Sequence, residues 1–268
     1  LLCMGMADSP LSLSLSAGLL IGIGLSGTSF SVILGVVGRA VPVEKRSMAM
    51  GIAAAAGSFG QFAMLPGTLG LIGWLGWSSA LIALGLLVAL IAPLAWMVRD
   101  IPQPAPAGSE QSLGEALREA CVHRGFWLLA LGFFVCGFHV AFISTHLPAF
   151  LADQGLDPAV GARALALIGL FNILGSYVFG LSADKMRKKY VLSGLYFARS
   201  AVIVVFLAVP FTPLSATLFA CAIGFLWLGT VPLTSGLVSQ IFGVRYLATL
   251  FGIVFMSHQV GGFFGAWL

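Results

Sequence analysis

Long apolar segments separated by short polar gaps run through the whole chain. A helix needs about 20 apolar residues to cross the hydrocarbon core of a bilayer, and most segments reach that length without the strict alternation of a barrel strand. Because only helices and closed barrels satisfy their backbone groups in lipid, the pattern predicts an all-α, polytopic membrane protein. After an apolar tail at 1–7, the predicted spans are Leu11–Gly38, Ser47–Gly73, Ser78–Val98, Gly125–Leu151, Val160–Ala183, Tyr190–Val209, Leu214–Ser239 and Tyr246–Leu268.

The gaps between these segments alternate in charge. Of the 13 Lys and Arg residues, all but Arg163 and Arg199 lie in every second gap. The gaps in between carry Asp8, Asp153 and Asp157. Lys and Arg keep short loops on the cytoplasmic side of a cell membrane. The predicted cytoplasmic segments are therefore loops 39–46, 184–189 and 240–245 and the longer stretch 99–124.

Composition excludes a soluble domain. Only 8% of the residues are charged and 59% are hydrophobic, whereas a soluble domain carries about 25% charged residues. The net charge of +4 comes from cations beside the spans, with no basic patch interleaved with aromatic residues, so no nucleic-acid partner is predicted. The four cysteines form no CxxC pair and have no histidine at metal-ligand spacing, so no disulfide framework, metal or cofactor is predicted.

Two glycine-rich motifs lie inside spans. Gly22-Ile-Gly24-Leu-Ser-Gly27 has the spacing of a dinucleotide-binding loop, but no strand precedes it and no acidic residue follows about 20 positions later. Close packing of helices through small residues is the preferred interpretation. The same interpretation applies to Gly261-Gly-Phe-Phe-Gly265.

A proline-rich stretch separates the third and fourth spans. It is followed by Ser112-Leu-Gly-Glu115, a capping box that predicts the start of a short amphipathic helix. The predicted organisation is a partial N-terminal helical bundle (1–98), a cytoplasmic linker (99–124) and a partial C-terminal helical bundle (125–268).

The two predicted bundles share a weak internal repeat. Sliding the chain by 201 positions without a gap brings identical residues together in one helix-loop-helix unit. This is the trace that a parallel duplication of six-helix halves leaves. The matched pairs are Gly35 and Gly236, Val37 and Val238, Val43 and Val244, Gly51 and Gly252, Ile52 and Ile253, Gly60 and Gly261, and Phe62 and Phe263.

The loop after the span Val160–Ala183 has a distinctive pattern, Gly180-Leu-Ser-Ala-Asp-Lys-Met-Arg-Lys-Lys189. Gly180 permits close helix approach, and Asp184 can pair with cations or cap a neighbouring helix, while the basic run favours anionic headgroups. The pattern resembles the loop signature of the major facilitator superfamily between helices eight and nine, although Arg187 stands where that signature has a second glycine. The gating residues implied by the resemblance are Gly180, Asp184, Lys185, Arg187, Lys188 and Lys189.

A second resemblance covers Gly38–Arg46 and the helix that begins near Gly51. This region is similar to the fourth and fifth helices of monocarboxylate-porter-like members. The resemblance implies the major facilitator fold of two six-helix bundles, incomplete here, from the end of helix 3 through helix 11. The Gly-Pro centre of the antiporter signature is not matched, because Leu65 precedes Pro66, and drug/proton antiport is not inferred.

Polar side chains inside the spans are the candidate substrate ligands, because burying one in hydrocarbon is costly unless it meets a partner or water. His139, Phe142 and His146 share one helix face by their spacing. Arg199 cannot lose its charge and is interpreted either as a ligand or as a brace for backbone carbonyls. The candidate binding residues are His139, Phe142, His146, Asn172, Arg199, Trp227, His258 and Gln259.

A cavity lined by these groups without carboxylates favours an anionic substrate, in agreement with the monocarboxylate-porter resemblance. The hypothesis is a monomeric secondary active transporter that moves a small organic anion by alternating access, with symport of a coupling proton as one form. The alternatives are efflux of amphipathic compounds, or a passive channel or sensor on the same fold. An enzyme is not predicted, because no HExxH, paired Asp or Ser-His arrangement occurs.

Overall fold

The chain folds as a set of helices, and the all-α prediction is confirmed. The computed structural model describes residues 1–97 and 111–268, so the predicted linker residues 99–110 lie outside the described part. No strand occurs in the part that is described. The α-helices are α1 (Leu2–Gly5), α2 (Pro10–Ser14), α3 (Ile21–Gly27), α4 (Phe30–Ala40), α5 (Arg46–Ala89), α6 (Ile91–Met97), α7 (Leu113–Val122), α8 (Arg124–Asp153), α9 (Pro158–Lys185), α10 (Lys188–Ala208), α11 (Pro213–Phe225), α12 (Thr230–Phe242) and α13 (Leu247–Trp267), with a π-helix at Leu15–Leu20 and a 3-10 turn at Val43–Lys45.

Seven helical segments in the described part are long and apolar enough to cross a membrane. Most begin or end within a few residues of a predicted span. The predicted span 47–73 is also helical, as the first part of α5. The seven segments are Pro10–Ala40, Gly70–Trp96, Arg124–Asp153, Pro158–Lys185, Lys188–Ala208, Pro213–Phe242 and Leu247–Trp267.

The helix α5 contains one non-helical residue, Gly76, with φ 76° and ψ 165°. This residue lies in the gap between the predicted spans Ser47–Gly73 and Ser78–Val98. Only glycine adopts such a positive φ without a steric penalty, so Gly76 divides α5 into two helices. The predicted boundary between two helices is confirmed at this position.

Two of the seven spans are interrupted near corresponding positions of the internal repeat. Pro10–Ala40 is interrupted at Thr28 and Ser29, and Pro213–Phe242 is interrupted at 226–229. The shift of 201 that aligns the repeat places Thr28 on Gly229. The two interruptions therefore correspond under this shift and lie just before the matched pairs begin, at Gly35 and Gly236.

Helices α8 and α13 pack closely through glycine. A Cβ built on Gly261 or Gly265 would overlap a carbonyl oxygen of α8, and one on Gly137 would overlap the carbonyl oxygen of His258. The predicted packing role of Gly261 and Gly265 is confirmed.

The corresponding prediction for the motif at 22–27 is wrong for the part of the chain that the structure describes. A Cβ on Gly22, Gly24 or Gly27 would have no neighbouring atom within 4 Å. This face of the first span is exposed. Small residues alone therefore do not identify a helix contact.

We expect Gly137→Ala to lower the free energy of unfolding by about 1–3 kcal/mol, because overpacking a close helix contact forces the backbones apart. Gly194→Ala is the matched control, since Gly194 is also helical and a Cβ there would meet nothing within 4 Å. Thermal unfolding of the purified protein, followed by intrinsic fluorescence, measures both. Equal stability of the two variants would contradict the packing described for α8 and α13.

Candidate functional site

A buried arginine holds the interruption in the span Pro213–Phe242. Arg199 lies near the middle of α10 and is 0% exposed. Its Nη2 donates to the carbonyl oxygens of Leu226 at 2.7 Å and Trp227 at 2.6 Å. The last carbonyls of a helix have no partner within that helix, and the guanidinium supplies donors for two of them. Of the two roles considered for Arg199, a substrate ligand or a brace for backbone carbonyls, these hydrogen bonds show the brace.

Asn172 on α9 holds the other side of the same interruption. Its Oδ1 accepts a hydrogen bond from the Leu228 N–H at 2.9 Å and one from the Ser176 hydroxyl at 3.3 Å. Its Nδ2 donates to the Ser58 hydroxyl on α5 at 2.7 Å. The side chain is 0% exposed. Asn172 thus ties α5 and α9 to the interruption between α11 and α12.

Cys136 on α8 contacts the same group of buried polar side chains as Arg199. Its part in this group was not predicted from the sequence. Arg199 Nη1 lies 3.4 Å from its Sγ, and the Thr230 hydroxyl lies 3.2 Å from the same sulfur. Cys136 is buried in the hydrophobic core, and its sulfur also contacts these two polar groups. A free thiol in an apolar run gives no signal by itself, because its partners come from residues 63 and 94 positions away.

The charge of Arg199 has no carboxylate partner among the described residues. Its bonded neighbours are two carbonyl oxygens and a thiol, and its Nε has no partner among the described atoms. Acidic residues occur in the described spans only at their ends, as Asp153 and Asp184. A full positive charge thus lies at membrane depth without a neighbouring carboxylate.

His258 on α13 lies in an aromatic pocket. Its ring is parallel to that of Phe255, with 5.3 Å between centroids, and lies 4.9 Å from the ring of Phe133. The side chain is 9% exposed, and neither ring nitrogen has a hydrogen-bond partner among the described atoms. The adjacent Gln259 is exposed. The two neighbours therefore lie in different surroundings.

The structure brings His139, Phe142 and His146 together, as their spacing predicts. They line a cavity of about 460 Å³ between α8, α10 and α11. The Phe142 ring packs against Phe138 at 5.7 Å and His146 at 4.9 Å. Arg199, Asn172, Trp227, His258 and Gln259 are not part of this lining. The candidate ligands therefore divide into this apolar cavity, the braced interruption and the face of α13.

Asp184 caps a helix that is distant in sequence. Its carboxylate accepts hydrogen bonds from the N–H groups of Ser47 at 3.1 Å and Met48 at 2.7 Å, at the beginning of α5. A negative charge at a helix N-terminus satisfies free N–H groups and the helix dipole. The structure thus shows the capping contact that the loop pattern suggested.

The helices α5 and α9 cross closely beside that cap. A Cβ on Gly180 would lie 2.9 Å from the Gly51 Cα, and one on Gly51 would lie 2.8 Å from the Ser176 carbonyl oxygen. Lys185, Arg187, Lys188 and Lys189 line a cavity at the same end of the bundle. We call the end that carries loops 39–46, 184–189 and 240–245 the basic end. At this end, helices α5 and α9 are in contact in this conformation.

The predicted capping box at the beginning of α7 is confirmed. The Ser112 N–H donates to the Glu115 carboxylate at 2.7 Å, and the Glu115 N–H donates to the Ser112 hydroxyl at 3.3 Å. The Ser112 N–H and, second, the Ser112 hydroxyl, which donates to the same carboxylate at 2.9 Å, hold the pKa of the Glu115 carboxyl below its usual value. The short helix α7 thus begins where the sequence predicts.

Comparisons with known proteins point to one family. The family model described as the Major Facilitator Superfamily matches residues 1–266. The chain is 27% identical over 232 residues to the uncharacterized MFS-type transporter YcxA of Bacillus subtilis, covering 81% of this chain and 55% of that protein. It is 26% identical over 270 residues to monocarboxylate transporter 13 of Bos taurus, covering 99% of this chain and 62% of that protein.

A third relative is the uncharacterized MFS-type transporter YhjX of Escherichia coli. It is 27% identical over 179 residues, which cover 62% of this chain and 42% of that protein. The chain thus spans between 42% and 62% of the length of these three relatives.

Proposed function

The chain belongs to the major facilitator superfamily, and from this premise we propose that it is part of a secondary active transporter for a small organic anion. Alternating access requires two helical halves that rock about a site near the middle of the membrane. In this proposal the halves are 1–98 and 125–268, and the basic end faces the cytoplasm. A carrier of this kind requires no covalent chemistry, and no enzymatic activity is proposed.

The observation that carries the anion proposal is the charge of Arg199. The guanidinium is fully buried, and none of its hydrogen-bond partners is a carboxylate. An uncompensated cation in a medium of low dielectric constant attracts anions and repels cations over several ångströms. A substrate carboxylate in the space between the halves would lower the free energy of that buried charge.

The similarity to monocarboxylate transporter 13 of Bos taurus supports a monocarboxylate as the substrate class. At 26% identity the likeness does not extend to a particular acid. We also propose that transport of the anion is coupled to a proton, because import of an anion against a negative membrane potential requires a compensating positive charge. His258 is the candidate coupling group, since both of its ring nitrogens are buried without a hydrogen-bond partner among the described atoms.

A second candidate, the efflux of amphipathic compounds, is favoured by the cavity between α8, α10 and α11. Its lining includes five phenylalanine side chains and two histidines, without a charged group among the described residues. Such a surface suits an aromatic or aliphatic body with one polar group. The phenylalanines are Phe138, Phe142, Phe150, Phe206 and Phe219.

Counterflow in proteoliposomes tests the proposal. We expect vesicles preloaded with an unlabelled monocarboxylate to accumulate labelled monocarboxylate transiently, and the rate to saturate, because a carrier exchanges substrate at one site. A passive pore shows neither property. Vesicles preloaded with an amphipathic cation are the control. Exchange of that cation, without exchange of the anion, would replace the first candidate by the second.

A further inference from the structure

A basic cavity lies at the basic end, outside the groups proposed to bind substrate. Its volume is about 910 Å³. Its walls come from the beginning of α5, from the turn between α9 and α10, and from α12. The cavity thus spans elements of both proposed halves of the transporter.

The charge of this cavity is strongly positive. Its described lining contains five basic side chains and one acidic side chain, that of Asp184. The Asp184 carboxylate already accepts two backbone hydrogen bonds from α5. One carboxylate balances only one of the five cations, so the lining keeps a large excess of positive charge. The basic side chains are Arg46, Lys185, Arg187, Lys188 and Lys189.

Two observations describe the cations around the cavity. The stem of Lys188 passes over Gly236 on α12, where an added Cβ would lie 3.0 Å from the Lys188 Cε. The Nε of Arg46 on α5 is buried and has no hydrogen-bond partner among the described atoms. A donor in that state is costly unless a ligand accepts from it.

We propose that this cavity binds a phosphate group, supplied either by the headgroup of an anionic lipid or by a soluble phosphate compound. Phosphate oxygens accept several charge-assisted hydrogen bonds at once, and Lys and Arg are the side chains that supply them. The lipid source is expected at a membrane surface, where clustered cations bind anionic headgroups. Because Arg46 and Lys188 lie on elements of different halves, a bound phosphate stabilises the arrangement in which the basic end is closed.

Native mass spectrometry of the purified protein tests the site. We expect phosphatidylglycerol to remain bound at concentrations at which phosphatidylcholine, whose choline group carries a positive charge, is lost. In the double variant Lys185→Gln/Lys188→Gln we expect at least about a tenfold loss of affinity, because each hydrogen bond to a charged group contributes on the order of a factor of ten. The variant Lys185→Arg/Lys188→Arg keeps the charge and should keep the binding.

The matched control is Lys45→Gln/Arg118→Gln, which removes the same charge from two exposed residues outside the cavity lining. Inorganic pyrophosphate is titrated in the same protein without lipid. Displacement of phosphatidylglycerol by pyrophosphate, or binding of pyrophosphate alone, identifies a soluble source, and failure to displace identifies the lipid. Equal retention of phosphatidylglycerol by the two Gln variants, or no binding of either probe, would overturn the proposal.

Discussion

Arg199→Met is expected to abolish anion exchange and to lower the unfolding temperature, while the protein still reaches the membrane. The substitution removes the buried charge and leaves the carbonyl oxygens of Leu226 and Trp227 without their donors. Each lost hydrogen bond to a charged group destabilises by about 1.5–3 kcal/mol. Counterflow in proteoliposomes and thermal unfolding of the purified protein measure the two effects.

Arg163→Met is the control for this substitution. Arg163 also lies in a membrane span, but it is exposed and its Nε donates to Ala159 on its own helix at 3.2 Å. We expect its exchange rate and unfolding temperature to stay close to those of the unmodified protein. Unchanged exchange by Arg199→Met would rule out the anion role of this residue.

Arg199→Lys separates the two roles of the guanidinium. Lysine keeps the positive charge but has no planar fork that can serve two carbonyls and a thiol together. If the charge attracts the substrate, Arg199→Lys should exchange the anion with a raised KM and retain its preference for anions. A stable Arg199→Lys protein that exchanges neutral compounds equally well would show that the residue is only a brace.

Asp184→Asn is expected to open the basic end of the bundle. The carboxylate accepts hydrogen bonds from the N–H groups of Ser47 and Met48. The single oxygen of an asparagine amide is uncharged, so it can replace only part of this stabilisation. Loss of about 1.4 kcal/mol changes the ratio of closed to open forms about tenfold. The alkylation rate of a cysteine introduced by Ser239→Cys, which lines the basic cavity, should rise by this factor.

Asp157→Asn provides a close comparison. Asp157 also caps a helix N-terminus, but it does not connect two helices. Its carboxylate accepts a hydrogen bond from the Ala159 N–H of its own helix at 2.7 Å. We expect the alkylation rate at position 239 to remain unchanged in this variant. A similar rate in both Asn variants would show that the cap on α5 does not hold the basic end closed.

The helices could be predicted from the sequence because lipid imposes a simple rule. A span needs an uninterrupted apolar length, and the predicted span Val160–Ala183 differs from α9, Pro158–Lys185, by only two residues at each end. The break in α5 at Gly76 could also be predicted, because it lies between the predicted spans Ser47–Gly73 and Ser78–Val98 and a glycine allows a positive φ.

The braced interruption could not be predicted in the same way. The residues Leu226 to Gly229 are apolar or small. Pro232 has no N–H to donate to the Leu228 carbonyl, which weakens the helix there, but a proline can also kink a helix without ending it. The groups that satisfy the freed backbone, Arg199 and Asn172, come from two other helices. Tertiary contacts of this kind leave no periodic signal, so the sequence indicated buried polar residues without showing that they meet the backbone.

The brace has a consequence for the order in which the protein is made. Arg199 leaves the ribosome 27 and 28 residues before its acceptors on Leu226 and Trp227. An arginine at the centre of a nascent helix opposes insertion by about 2.5–3.5 kcal/mol on translocon scales. Its neighbours between Val202 and Phe206 are strongly apolar and offset that penalty. We therefore expect the segment Lys188–Ala208 to enter the bilayer before the two carbonyl acceptors of Arg199 exist, so that synthesis of the following segment completes its hydrogen bonding.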